Sequence, residues 1–255
     1  MPSLRFLTSA LFALALGCVP LSASAQSFSD TQRGDIEAIV KNYLIAHPEV
    51  LEEAMAELTK RQSAAETAKH EASVTENANT IFNSPRGVTL GNKDGDVTFV
   101  EFFDYNCGYC KRAMTDMLDL MKADPKLKVV LKEFPVLSQG SVEAAQVAVA
   151  VRMQDPTGKK YLDFHQKLLG GRGAADKARA LAVAKEIGLD IAKLEKDMAS
   201  PEAKATIEEN FKLAESMGMN GTPSYVIGKQ VVIGAVGLDN LKEKIGVARC
   251  GKATC

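Results

Sequence analysis

The sequence predicts an α/β fold: a strand-helix-strand half, a helical insertion and a strand-strand-helix half, all preceded by a helical arm. Three observations predict it. A β-branched and aromatic run, Val97 to Phe103, hands over through Asp104-Tyr105-Asn106 to a helical pattern, and a second apolar strand, Lys128 to Phe134, follows. The stretch from Ser141 to Met217 is helical in pattern almost throughout. After it, Tyr225-Val226-Ile227 and Val231-Val232-Ile233 flank Gly228-Lys229-Gln230, the spacing of an antiparallel hairpin.

Composition narrows the class. With 255 residues, 46% hydrophobic and 25% charged, the chain carries enough apolar material for one large or two modest domains. A net charge of -1 without a long Lys/Arg run gives no electrostatic footprint for nucleic acid or an anionic membrane surface.

Taken in order, Arg5 and the apolar Phe6 to Leu16 lead to Ala23-Ser24-Ala25. The apolar run is too short to span a bilayer, so residues 1–25 read as a signal peptide cleaved before Gln26, and the protein as exported. A lipidated Cys18 is the competing reading, and the A-x-A site fits better.

Residues 26–79 read as an arm. Ile36, Ile39, Val40, Tyr43 and Leu44 share one helical face that ends near His47. Pro48 opens a second helix with Val50, Leu51, Met55 and Leu58 on its apolar face. From Lys60 to Asn79 the helix-forming residues continue but the large apolar ones nearly vanish. An apolar stripe with no core beside it needs a partner, so a homo-oligomer, dimer or trimer, is favoured over a solvated spacer.

Residues 80–255 form the main domain. Asn83 to Gly87 and Gly91 to Asp96 read as turns, and Val97 to Phe103 as a central strand, apolar on both faces. A helix carrying Met114, Met117, Leu118 and Met121 follows, and Pro125 marks the turn to the second strand, which stops at Pro135. The helical insertion spans about 138–217, broken at Asp155-Pro156-Thr157-Gly158, at Gly170 to Gly173 and at Ser200-Pro201. A last helix from Leu238 to about Val247 leads to Cys250 and Cys255.

Removal of the signal leaves Cys107, Cys110, Cys250 and Cys255, too few to staple a protein this size, so one pair is expected to do chemistry. Cys107-Gly108-Tyr109-Cys110 sits where a strand meets a helix N-terminus. Free backbone N–H groups and the helix dipole stabilise a thiolate there, which makes Cys107 the nucleophile. Cys110, one turn on, faces the same way and resolves the mixed disulfide. A purely structural bridge would close too short a loop to stabilise much. Zinc would want four ligands, and Cys250 and Cys255 are distant with unusual spacing. No metal and no cofactor is expected. Cys250 and Cys255 are expected to form a structural disulfide in the exported tail, with a second redox pair as the minor alternative.

Glu101 to Cys110, EFFDYNCGYC, together with Phe164-His165 and Gly221-Thr222-Pro223, resembles the DsbA-like periplasmic oxidoreductases over roughly Val97 to Val247. The arm, with Tyr43-Leu44 and Pro48-Glu49-Val50-Leu51, is similar to the subgroup that includes the trimeric ScsC proteins. The resemblance implies a thioredoxin-like fold, a cis Pro223 against the cysteine pair, and a Thr222 backbone free to hydrogen-bond an extended substrate. It also implies that Glu101 is a buried acid assisting proton transfer, against the alternative of a solvated carboxylate. Protein substrates with cysteines or disulfides and a membrane redox partner of unknown identity follow from it as well.

One departure matters. Strongly oxidising members usually carry Pro-His between the cysteines; Gly108-Tyr109, with Thr222 before the proline, is instead similar to DsbC-type isomerases. A less stabilised thiolate means a less oxidising pair, so isomerase or reductase is favoured over oxidase. In the isomerases the arm resembles, oligomerisation keeps the site away from the oxidising system. The rival from another class is a chaperone that holds unfolded chains on the insertion. His47 reads as a cap or surface residue, His70 as solvated, and His165 as packing or near the site. The scattered methionines read as packing rather than copper capture.

Overall fold

The computed structural model describes residues 28–255; the signal segment, its cleavage site and Cys18 lie outside the described residues. The chain divides into two compact units between Leu58 and Thr59.

In the first unit, α1 (Asp30–Ala46) starts at a capping box: Ser29 Oγ accepts the Gln32 N–H, and Gln32 Oε1 accepts the Ser29 N–H. It ends at His47, whose N–H closes on the Tyr43 carbonyl at 2.8 Å before Pro48. Helix α2 (Glu49–Glu76) follows at once. No residue of α1 is buried, and Ile36, Ile39, Val40, Tyr43, Leu51, Met55 and Leu58 are exposed.

The second unit begins inside α2. Val74 is buried with Ile81, Phe102 and Leu213, and Ser73 Oγ donates to the Ser216 carbonyl at 2.8 Å. The sequence carried the arm to Asn79. Val74, near the end of α2, is the one residue of that helix that is buried. His70, expected in solvent, is largely covered, its side chain 17% exposed.

Next come α3 (Ala78–Asn83), β1 (Val88–Gly91), β2 (Val97–Phe103), α4 (Gly108–Ala123) and β3 (Leu127–Glu133). The chain then forms α5 (Gln139–Gln154), α6 (Lys159–Gly170), α7 (Lys177–Glu186), α8 (Ile191–Asp197) and α9 (Pro201–Ser216). It closes with β4 (Ser224–Ile227), β5 (Gln230–Ile233) and α10 (Leu238–Cys250). Strand order is β1-β3-β2-β4-β5, with β2 and β3 parallel and every other pair antiparallel. This is the thioredoxin-like sheet, with α5 to α9 inserted between its halves. Strand β1 is an addition to the sequence reading, where turns flank only four residues of alternating burial, too few for a period-2 signal.

The central strand sends Phe99, Glu101 and Phe103 to one face and Val100 and Phe102 to the other. The first face packs on α4 and α10 with Met117, Tyr225, Leu241 and Ile245; the second packs on α9 and α3 with Phe134, Val226, Leu213 and Ile81. Burying each such side chain contributes about 1.5–3 kcal/mol. Four of the insertion's five helices start where a short polar side chain accepts a backbone N–H three residues on, Ser138 for α5, Asp176 for α7, Asp190 for α8 and Ser200 for α9, while α6 starts at the left-handed Gly158. Of these caps only Ser200 lies in a break that the sequence reading named, and the start of α8 after Asp190 is an addition to that reading.

Candidate active site

Cys107 is the N-cap of α4, with extended backbone, and its Sγ accepts the Cys110 N–H at 3.2 Å. As a thiol it donates to the Thr222 carbonyl at 3.2 Å. The Cys110 thiol's hydrogen bond draws the Cys107 pKa down to about 6, burial opposes this, and the backbone N–H groups of Cys110 and Tyr109 add to the lowering. Burial pushes the Cys110 thiol far up, and the hydrogen bond to Cys107 adds to it. The two cysteines are free thiols. The hydrogen bond between the sulfurs and the deeper burial of Cys110 thus separate an ionisable outer sulfur from a protonated inner one.

The Thr222–Pro223 peptide bond is cis. The hydrogen bond from Cys107 to the Thr222 carbonyl exists only while the sulfur carries its proton. Between the cysteines, Tyr109 is 59% exposed and lies under the Arg112 guanidinium, 4.6 Å from the ring centre. A Cβ at Gly108 would meet nothing within 4 Å, so packing leaves that position open.

Glu101 is buried on the β2 face that α4 covers. Burial raises its carboxyl to about 8, and the charges of Cys107 and Asp116 add to the rise. A solvated strand carboxylate, the alternative reading, does not fit a side chain 2% exposed. The structure therefore brings Glu101, Cys107, Gly108, Tyr109, Cys110, Thr222 and Pro223 to one region. Cys250 and Cys255 are not part of it: they are joined to each other by a disulfide, with Cα atoms 6.2 Å apart, at the end of α10.

Sequence reasoning passed over two residues beside the pair. The Asp104 carboxylate accepts the N–H groups of Asn106, Val136 and Leu137 at 2.7–3.0 Å, binding the loop before Cys107 to the loop after β3. The Asn106 amide grips the backbone of Ala175 from both sides, accepting its N–H at 2.7 Å and donating to its carbonyl at 2.9 Å. It also donates to Ser141 Oγ. Lys111 Nζ donates to the Gly171 carbonyl at 3.0 Å, so the α6–α7 loop is pinned to residues on both sides of the cysteine pair. An Asx residue each side of Tyr105 was the available signal, but it cannot say what the side chains reach. His165 is buried edge-on to Phe103, with ring centres 4.6 Å apart, and burial lowers it to about 3; it packs as a neutral ring. Among the described residues no group of three or more His, Cys, Asp or Glu is placed to hold a metal.

A low-pKa sulfur at a helix N-terminus, a buried thiol one turn on and a cis-prolyl loop on a thioredoxin-like sheet define the class: a dithiol exchange protein. The chain belongs to the family described as DSBA-like thioredoxin domain, which matches residues 98–246. Residues 32–65 match the copper resistance protein ScsC N-terminal domain. A thioredoxin-like oxidoreductase from Silicibacter pomeroyi is 44% identical, with a TM-score of 0.64, over 67% of this chain and 96% of that one. Proteus mirabilis ScsC in a transitional conformation is 27% identical, with a TM-score of 0.63, over 88% and 97%. Disulfide bond formation protein D of Bacillus subtilis is 28% identical over 64% of this chain and 77% of its own length. The chain spans only 24% and 26% of the first curated relatives it matches, two Na(+)/H(+) antiporters, from Salinispora arenicola and Herminiimonas arsenicoxydans. The chain thus belongs to the DsbA-like family, in its ScsC-type subgroup.

Proposed function

We propose that this protein is an exported, periplasmic protein disulfide isomerase or reductase. The observation that carries the reading is Cys107 at the N-cap of α4 with a thiolate favoured near pH 6, directly over a protonated Cys110. The Cys107 thiolate attacks one sulfur of a substrate disulfide, the S–S bond breaks, and the other substrate sulfur leaves as a thiolate. In a reduction, Cys110 loses its proton to Glu101 and attacks Cys107 Sγ. The mixed disulfide breaks, leaving a Cys107–Cys110 disulfide and a substrate carrying two more electrons. In an isomerisation, a second substrate thiolate attacks instead and the dithiol is restored.

Isomerase or reductase is favoured over oxidase because no imidazolium stands between the cysteines. A Cys107 pKa of about 6 lies between the ~7 of a reductant and the ~3.5 of a strong oxidant. The apolar stripe of α1 and early α2 supports a homo-oligomer, dimer or trimer, assembled through the arm, as does the match to the ScsC N-terminal domain. Protein substrates and a membrane partner that resets the dithiol complete the reading, with Cys250–Cys255 as a structural disulfide of the tail.

Insulin reduction and reactivation of a scrambled-disulfide protein test it. Activity in both, lost in Cys107→Ser, is expected; full activity of Cys107→Ser would instead favour a chaperone. An oxidising equilibrium with glutathione and no reactivation would make the protein a disulfide donor.

A further inference from the structure

The sheet face under α4 holds two buried polar atoms with no hydrogen-bond partner among the described residues, Glu101 Oε2 and the Tyr225 hydroxyl. They belong to residues directly opposite in the β2–β4 ladder. Opposed residues send their side chains out on the same face, with Cβ atoms about 5 Å apart. Tyr225 is 1% exposed and packs its ring on Phe99, with centres 5.2 Å apart, so the ring is held while the hydroxyl serves no protein acceptor. Phenylalanine would fill the same space without desolvating a hydroxyl. Of the charged groups that act on that hydroxyl, Glu101 comes first, ahead of Cys110, Asp116 and Cys107, and its Oε2 is left without a partner among the described residues in the protonated state.

We infer that Tyr225 is a positioning residue of the exchange site, donating its hydroxyl to the Glu101 carboxylate whenever that group is ionised. This rests on the proposed role of Glu101 as the acceptor of the Cys110 proton. The surroundings explain why a donor is needed there. Helix α4 contributes Cys107, Cys110 and Asp116, β3 places Leu131 beside Glu101, and α10 adds Leu241 and Ile245. The charges that act on Glu101, those of Cys107 and Asp116, are both negative. A carboxylate formed among them gains nothing from its charged neighbours, so a neutral donor holds it. In the resolving step the proton passes from Cys110 Sγ to Glu101, the Cys110 electron pair forms the bond to Cys107 Sγ, and the substrate sulfur leaves with the pair of the broken bond. The Tyr225 hydroxyl stabilises the carboxylate that begins this step and keeps it available near neutral pH.

The test uses the reduced mature chain charged at Cys107 with 5-thio-2-nitrobenzoate. Release of the coloured thiolate by Cys110 is followed by stopped flow from pH 5 to 10 in wild type, Tyr225→Phe, Glu101→Gln and the double variant. Wild type is expected to show an inflection that Glu101→Gln removes. In Tyr225→Phe the inflection is expected to move up by about one pH unit, slowing release at pH 7 about tenfold with the alkaline plateau retained. Adding Tyr225→Phe to Glu101→Gln is expected to change nothing further. A Tyr225→Phe profile that overlays wild type, while Glu101→Gln still removes the inflection, overturns the inference and leaves the Glu101 reading standing. If Glu101→Gln keeps the wild-type inflection, the Glu101 reading itself fails. A Tyr225→Phe slowing that persists in the Glu101→Gln background overturns the inference by showing that the phenol acts elsewhere.

Discussion

Two residues of the site, Cys107 and Glu101, titrate with opposite shifts, and the charge of Cys107 acts on Glu101. Cys107 is drawn from 9.0 to about 6, so its thiolate stabilises the reduced fold above pH 9 and that contribution is lost as pH falls through 6. Glu101 is raised from 4.5 to about 8, so its contribution is complete below pH 4.5 and is lost as pH rises through 8. Between pH 6 and 8 the two slopes oppose, each at most about 1.4 kcal/mol per pH unit. Buried Glu133 is raised as well and adds a further fall with pH, so the comparison is between variants. In urea unfolding of the reduced protein from pH 6 to 8, Glu101→Gln should lose stability less steeply than wild type and Cys107→Ser more steeply. A wild-type slope equal to that of Glu101→Gln would mean Glu101 is not raised. Alkylation by iodoacetamide gives an independent check: Cys107 should react with an apparent pKa near 6 while buried Cys110 stays unmodified in the native state. Cys107 and Cys110 were nameable from spacing because the field that divides their roles comes from their own helix end.

At the scale of elements, side chains that tie one segment to another decide how the site is held. Asn106 joins the loop before Cys107 to the insertion at Ala175 and Ser141. Asn106→Ala leaves a buried Ala175 N–H without its acceptor, and unfolding free energy should drop by about 1–3 kcal/mol in urea denaturation. A loss within error would mean the α6–α7 loop is held without Asn106, by Lys111 and Arg179. The tail is tied differently: a Cβ at Gly246 would lie 2.5 Å from the Ala253 carbonyl oxygen and 2.8 Å from that of Lys252. Gly246→Ala should push the 250–255 loop off α10, seen as a slower regain of the Cys250–Cys255 disulfide after reduction. The insertion's breaks at 155–158, 170–173 and 200–201 were legible because glycines and prolines act within one turn, whereas the break before α8 was not. Strand β1 and the seating of Val74 were not, since four residues and one valine carry no periodic signal.

For the whole molecule, the division at Leu58/Thr59 separates an exposed apolar stripe from a domain with its own cores. A shortened chain should therefore begin at Thr59, because a cut at Asn79 would remove Val74 from the second core. Light scattering should give an oligomer for the mature chain and a monomer for the shortened one, with the same Cys107 alkylation profile in each. A mature chain that is already monomeric would leave the stripe without its proposed use, and reactivation of scrambled substrate should then survive the cut.

The α/β order of elements, the helical insertion and the thiol pair at a strand-to-helix junction were determined by the sequence itself. Each depends on residues within a few positions of one another: periodicity, caps, turn residues and a helix end's own field. Only the tertiary structure decided that Glu101 lies opposite Tyr225 in the sheet, that the Thr222 carbonyl meets Cys107, that Asn106 grips Ala175, and that the compact unit begins inside α2. These are contacts between segments far apart in the chain, set by sheet register and by which surface a helix covers, and no local pattern encodes them.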